Sequence, residues 1–217
     1  MSIRKVNFVK GEFYHIHNRG NSKQKIFHNQ KDYDRFLFLL FICNSQRSFN
    51  VFNLTRDESL YDTDRGETLV SIGAYCLMPN HFHILIMDKE EGNISKFMQK
   101  LSTAYVMYYN QKYKRTGSLF ESKFKAEHAE NDRYLKYLFS YIHLNPIKLM
   151  EPKWKKLGIK NKGRVLDYLK NYKYSSFKDY LGDRPETITV DKKPFPEYFP
   201  DKNAFLNEIF DWINYSM

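Results

Sequence analysis

Cysteine is nearly absent. Cys43 and Cys76 are the only two in 217 residues, and neither belongs to a closely spaced pair that would ligate a metal. Disulfides therefore do not organise this chain, and a reducing, cytoplasmic setting fits. Long hydrophobic runs are missing as well. The longest, Phe36 to Cys43, is far too short to cross a bilayer, and the first residues, Met1 to Asn7, hold no apolar signal core. No internal repeat is visible. Acidic residues are outnumbered, 25 against 35 Lys and Arg, for a net charge of +10. That sign points to a polyanionic partner, nucleic acid first, and no membrane; a plain solvated basic surface is the alternative.

Aromatic rings are abundant, with 17 Tyr and 18 Phe. Rings interleaved with lysines suit single-stranded nucleic acid, where bases stack while phosphates meet cations. For most of these rings, filling the core is the plainer job. Hydrophobic residues make up 42%, enough for a real core in one domain with an extension.

The most informative stretch is Tyr75-Cys76-Leu77-Met78-Pro79-Asn80-His81-Phe82-His83-Ile84-Leu85-Ile86. It reads as a hairpin, with Pro79 in the turn. Strand side chains alternate, so His81 and His83 share a face and Phe82 takes the other. Two imidazoles side by side on a strand can share one divalent cation. Alone, such a pair is more often a surface or satisfied core pair.

Around it the pattern predicts a strand at Phe13–His17 and a basic turn at Asn18-Arg19-Gly20-Asn21, which could offer backbone amides and Arg19 to a phosphate. A helix follows over Asp32–Cys43, then a short strand at Val51–Leu54 and a turn-rich acidic excursion from Arg56 to Glu67. A strand is expected at Leu69–Leu77 and a long helix from Asn93 to Lys114. Its Ile94, Phe97, Met98, Leu101, Tyr105 and Tyr108 recur at core spacing. A strand within Leu119–His128 and a helix over Asp132–Leu144, with Asp132 as N-cap, complete the set. The order matches a ferredoxin-like α+β fold, an antiparallel sheet with helices on one face, plus one extra helix. Residues 1–150 form this domain. Residues 151–217 form a basic extension packed on the core or on DNA, with nine Lys or Arg against one acid between Lys153 and Lys178. Phe205, Ile209, Phe210 and Ile213 predict a final amphipathic helix.

The second informative stretch is Tyr141-Ile142-His143-Leu144-Asn145-Pro146. Tyr141 and Asn145 are four apart and share a helix face. If that helix lies beside the His81 strand, Asn145 becomes a candidate third metal ligand and Tyr141 a candidate catalytic nucleophile. His143 is offset and reads as structural. A phenol is a weak nucleophile at neutral pH, and a cation that neutralises a phosphodiester would compensate.

Together these residues resemble the single-tyrosine HUH transposases, and most closely the REP-associated tyrosine transposases. The resemblance is carried by Tyr14 to Asn21 with Ile26-Phe27, by Tyr75 to Ile86, by Gly117-Ser118-Leu119-Phe120 with Phe124-Lys125, by Tyr141 to Pro146, and by Tyr174-Ser175-Ser176-Phe177 with Tyr180-Leu181-Gly182. It implies His81, His83 and Asn145 as metal ligands, Mg²⁺ or Mn²⁺ as the ion, and Tyr141 as the nucleophile. It implies cleavage of single-stranded DNA near palindromic hairpins through a 5′-phosphotyrosine, and a possible homodimer. Candidate DNA contacts are Arg19, Asn21 and Lys23 after the first strand, and Lys96, Lys100 and Arg115 on and after the long helix. Lys123, Lys125 and Lys148 complete them. Two other readings stand beside this one. A non-catalytic, domesticated nucleic-acid-binding module would share charge and aromatics. A hydrolase activating water would need a carboxylate such as Glu121, Glu127 or Glu130.

Overall fold

A computed structural model describes residues 6–50, 61, 63–182 and 189–214. The strand expected at Val51–Leu54 and the first part of the acidic excursion lie outside the described residues. The excursion's described end is tied down, with Arg47 paired to Asp64 at 2.8 Å and Gln46 N donating to Glu67 O.

The elements run β1 (Phe13–Arg19), α1 (Gln30–Ile42), β2 (Val70–Met78), β3 (His81–Asp88), α2 (Asn93–Lys112), β4 (Lys125–His128) and α3 (Asp132–Leu144). The extension adds α4 (Ile147–Met150), α5 (Trp154–Leu157), α6 (Lys162–Asn171), α7 (Phe177–Leu181) and α8 (Lys202–Asn214). The four strands pair antiparallel in the order β2-β3-β1-β4. This is the ferredoxin-like α+β sheet. No described helix is long and apolar enough to cross a membrane.

Register decides which residues share a face. Ile16 pairs with Ile84 and His17 with His83. Tyr14, Ile16, Phe82, Ile84 and Ile86 therefore line one face. Helices α1 and α2 close it, with Phe36 of α1 packed on Phe82 at 5.1 Å and on Tyr105 of α2 at 4.9 Å. Helix α3 covers the opposite face, its Tyr141 ring 5.5 Å from His83. Helices on both faces explain why every residue of β2 is buried.

Two helix starts differ from expectation. α3 is capped by Asn131, whose side chain accepts from Tyr134 N, and not by Asp132. α1 begins at Gln30, and Asp32 instead accepts from the amides of His28 and Asn29. Asp32 is fully buried, and it also receives Lys112 at 2.5 Å, Tyr113 at 2.7 Å and Tyr108 at 3.0 Å. One carboxylate thus ties α1 to α2; Tyr108, expected in the core, is half-buried with its hydroxyl on Asp32. Burial opposes the Asp32 charge, but these donors hold its pKa below the usual carboxylate range.

The extension packs along the outer edge of β2. Leu77 N donates to Tyr174 O and Ser176 N to Tyr75 O. Tyr172 and Tyr180 donate their hydroxyls to Leu77 O and Gly73 O, both at 2.7 Å. An edge strand left bare would invite pairing with another chain. Gly73 is required here because a Cβ would lie 2.6 Å from the Phe195 ring. His143 completes the seam: it is fully enclosed, its Nδ1 lies 2.8 Å from Phe139 O, and its Nε2 lies 2.8 Å from Ser176 Oγ. It is structural, as its offset in sequence suggests.

Candidate active site

The face of β1 and β3 turned toward α3 carries histidines where the other face carries aliphatics. His81 and His83 come from β3, and His15 and His17 from β1. His15 Nε2 and His83 Nδ1 are 2.9 Å apart. His81 Nδ1 is 2.6 Å from Asn80 Oδ1. The Tyr141 ring stands edge-on over this layer, 5.5 Å from His83 and 5.7 Å from His15. β4 adds Glu127 from the side, 3.5 Å from His15 Nδ1 and 3.6 Å from His17 Nε2. His15 Nδ1 is buried with no closer partner, so the Glu127 contact is looser than a well-formed hydrogen bond.

Burial sets the protonation states. The His81 imidazole is pushed down to about 4 by burial, helped by the Lys148 and Arg19 charges. His83 is held well below the usual histidine range by burial and then by His15. His17 is lowered by burial and by His15. The facing His15 ring holds Glu127 down to about 2, against the cost of its own burial. His17, His81 and His83 are therefore neutral imidazoles near one carboxylate at neutral pH. Tyr141 is raised by burial, so its phenol is protonated there.

A cleft of about 350 Å³ opens above the layer. Its walls include His17, Arg19, His81, His83, Glu121, Lys125, Tyr141 and Lys148. Of the sequence-derived candidates, the cleft brings together His81, His83, Tyr141, Arg19, Lys125 and Lys148. Asn145 lines the neighbouring cavity instead. Its amide nitrogen donates to Tyr141 O at 2.9 Å, and its Oδ1 accepts from Lys148 Nζ at 2.9 Å.

The remaining candidates are elsewhere. Lys96 is exposed on α2, beyond the sheet from the histidines. Lys100, on the same helix, spends its ammonium on Ser45 O and Arg47 O at 2.7 and 2.6 Å. Arg115 reaches Gln24 Oε1 at 3.1 Å and lies over the Tyr109 ring, so it braces two loops. Asn21, Lys23 and Lys123 are exposed near the mouths of β1 and β4. The turn after β1 does not offer its amides to a phosphate: Gly20 N donates to Asn80 O and Asn21 N to Leu119 O. Gly20 itself is needed because a Cβ would come 2.3 Å from Gln24 O. Arg19 is held by Glu121 through two contacts, at 2.9 and 3.1 Å. Glu130 is exposed at the end of the β4 segment.

Sequence reasoning passed over His15 and His17. The alternation that puts His81 and His83 on one face applies equally to Phe13-Tyr14-His15-Ile16-His17, so the signal was available. Glu127, named in the sequence only as one of three carboxylates for a water-activating hydrolase, owes its place beside His15 to β4 register.

A ferredoxin-like sheet whose central strand holds a His-x-His pair beneath a helical tyrosine has the layout of the single-tyrosine HUH class. Residues 9–145 match the family model described as "Transposase IS200 like", and the chain belongs to that family. Among solved structures it is similar to one described as "Structure of the REP associates tyrosine transposase bound to a REP hairpin". The TM-score is 0.50 and the identity 13%, over 86% of this chain and 90% of that one. No curated protein matches the chain.

Proposed function

We propose that this chain cuts and rejoins single-stranded DNA beside hairpins, with Tyr141 as nucleophile. The observation that carries the reading is the position of Tyr141, over the histidine layer and in the wall of a cleft with three cationic side chains. The relative solved with a REP hairpin supports hairpin DNA as the partner.

In the proposed step the Tyr141 oxygen attacks phosphorus and the bond from phosphorus to the 3′-oxygen breaks. A 5′-phosphotyrosine and a free 3′-hydroxyl result, the phenolic proton ending on the 3′-oxygen through solvent. The phosphodiester is exchanged for a phosphotyrosyl ester, so the reverse attack by another 3′-hydroxyl needs no added energy source. Arg19, Lys125 and Lys148 would neutralise the strand's phosphates around the reacting one. Because burial keeps the phenol protonated, it needs help to act at neutral pH.

The residues fit a divalent cation in part. Among the described residues, no group of three or more His, Cys, Asp or Glu side chains is placed to hold one. His81 and His83 are both neutral, the ligating form, and each has Nδ1 engaged, which orients Nε2 as the free donor. Asn145 could join them only once its Oδ1 leaves Lys148. A bound cation would act as a Lewis acid on the phosphate and stabilise the departing oxygen.

The test is to incubate the protein with labelled hairpin DNA carrying single-stranded arms, with Mn²⁺ or Mg²⁺, and to run a denaturing gel. A protein–DNA adduct that disappears in Tyr141→Phe and with chelator is expected. Cleavage without adduct would instead indicate water activation. Binding with neither would indicate a non-catalytic module.

A further inference from the structure

We infer that the cavity on the far side of Tyr141 receives one unpaired nucleobase of the bound strand. The inference rests on the single-strand DNA reading above and names a subsite for it. The cavity holds about 220 Å³, below the roughly 300–1,000 Å³ of pockets for drug-sized ligands. That suits a single ring system rather than a peptide or a lipid chain.

Rings and ammonium groups make up most of its walls. Tyr137 and Tyr141 come from α3, Trp154 from α5 and Trp212 from α8, with Lys148 and Lys155 beside them. Tyr137 lies 5.1 Å from Trp212 and 5.8 Å from Tyr141. Lys155 Nζ is 5.2 Å from the centre of the Tyr141 ring and 5.7 Å from that of Trp154, and Lys148 Nζ is 5.8 Å from that of Tyr141. Flat faces for a base next to cations for its phosphate are what single-strand binding requires.

Continuity with the cleft selects the occupant. Tyr141 and Lys148 belong to both cavities. A strand whose phosphate meets the Tyr141 hydroxyl would have a neighbouring base within reach of the ring-lined side. The arrangement also gives the extension a task. Both tryptophans of the chain sit in this wall, and both lie beyond residue 145, where the family match ends.

Because these are the only tryptophans, their emission reports on the cavity directly. The full-length protein, without metal, is titrated with a hairpin bearing oligo-thymidine arms, then with hairpins carrying a single abasic site moved through the arm. Stacking tolerates any base, so the arm sequence is not critical. Tryptophan emission should fall on binding. One abasic position should restore most of it and weaken binding about tenfold, the scale of one base stacked on an aromatic ring. Trp212→Ala, at an exposed position that should not unfold the chain, should weaken binding about as much and make it insensitive to that abasic site.

Hairpin binding with no emission change at any position, and unchanged affinity in Trp212→Ala, would overturn the subsite and leave the nucleic-acid reading intact. Binding without a covalent adduct would remove the endonuclease reading, while the emission arm still decides the subsite. Absence of any DNA binding would overturn both.

Discussion

The two faces of one pair of strands differ in a single property. On β3, Phe82, Ile84 and Ile86 point toward α1 and α2, while His81 and His83, one residue out of step, point toward α3. On β1 the same split separates Tyr14 and Ile16 from His15 and His17. The first face is dry and filled by rings, including Phe36 and Tyr105. Close packing of this kind holds the strands rigid. The second face keeps polar rings under partial cover, and their hydrogen bonds fix ring orientation instead of adding bulk. The difference teaches that apolar packing and polar character are assigned here by residue parity along a strand, and the proposed chemistry falls to the polar side. Neighbouring substitutions should therefore fail in different ways.

Tyr141→Phe should have the largest effect. It removes the oxygen proposed to attack, so the adduct should vanish while hairpin affinity changes less than about twofold; a gel with an unchanged adduct would refute the assignment. Next come adjacent residues on β3. Phe82→Ala should cost about 3–5 kcal/mol of stability, read from the denaturant midpoint, with cleavage per folded molecule kept. His83→Ala should do the reverse, lowering cleavage by about a thousandfold or more while leaving most of the stability. If both variants lost stability alike, the division of labour between faces would be wrong. His15→Ala should fall between them. It loosens the His83 ring, and removing such a supporting partner costs roughly 10–100-fold in metal affinity or activity. Manganese affinity, measured calorimetrically, separates that role from a general loss of fold. With imidazole donors, Mn²⁺ should also work at lower concentration than Mg²⁺.

Parity was legible in the sequence, and most of the fold was legible with it. The alternation in Tyr75 to Ile86 and the helical spacing of Ile94, Phe97, Met98, Leu101 and Tyr105 are local signals, and the elements they define are present. What was not legible depends on partners distant in sequence. That Asn145 Oδ1 would be held by Lys148 follows from how α3 passes into α4. That Arg19 would be clamped by Glu121, and the turn amides consumed, follows from the segment before β4 lying against β1. Within the extension, α4 and α5 have four residues each, too brief for periodicity to reveal, whereas α8 is the final amphipathic helix that the spacing of Phe205, Ile209 and Ile213 predicts. Lys96 and Lys100 are expected DNA contacts on the sequence because they are cations on one helix. Only the side on which α2 lies on the sheet separates them from the cleft.

Acidity should expose the cost of enclosing neutral histidines. His143 is held near 3 by burial, against an ordinary value of 6.5. Between those values the unfolded chain binds a proton that the folded chain refuses, so stability should be lost as pH falls from about 6.5 toward about 3. His17, His81 and His83 act in the same direction. Asp88 has the opposite sign: burial raises it to about 6, so its share of stability declines as pH rises from 3.8 to about 6. Denaturant midpoints across that range should fall on the acid side. His143→Gln should flatten the slope while costing about 1–2 kcal/mol at neutral pH through the lost bonds to Phe139 and Ser176.

The smallest effect should come from Lys125, which pairs with His17 in register and lies in the cleft wall. It is exposed and has no shape-specific contact, so its contribution to binding is that of a charge near a phosphate. Removing it should reduce affinity for every hairpin by a similar factor and reduce the slope of log affinity against log salt by about one. Lys96→Ala, on the face beyond the sheet, should leave that slope unchanged. Should Lys96 alter the slope as much as Lys125, the strand would have to run over α2, and the proposed path through the cleft would not be its only one.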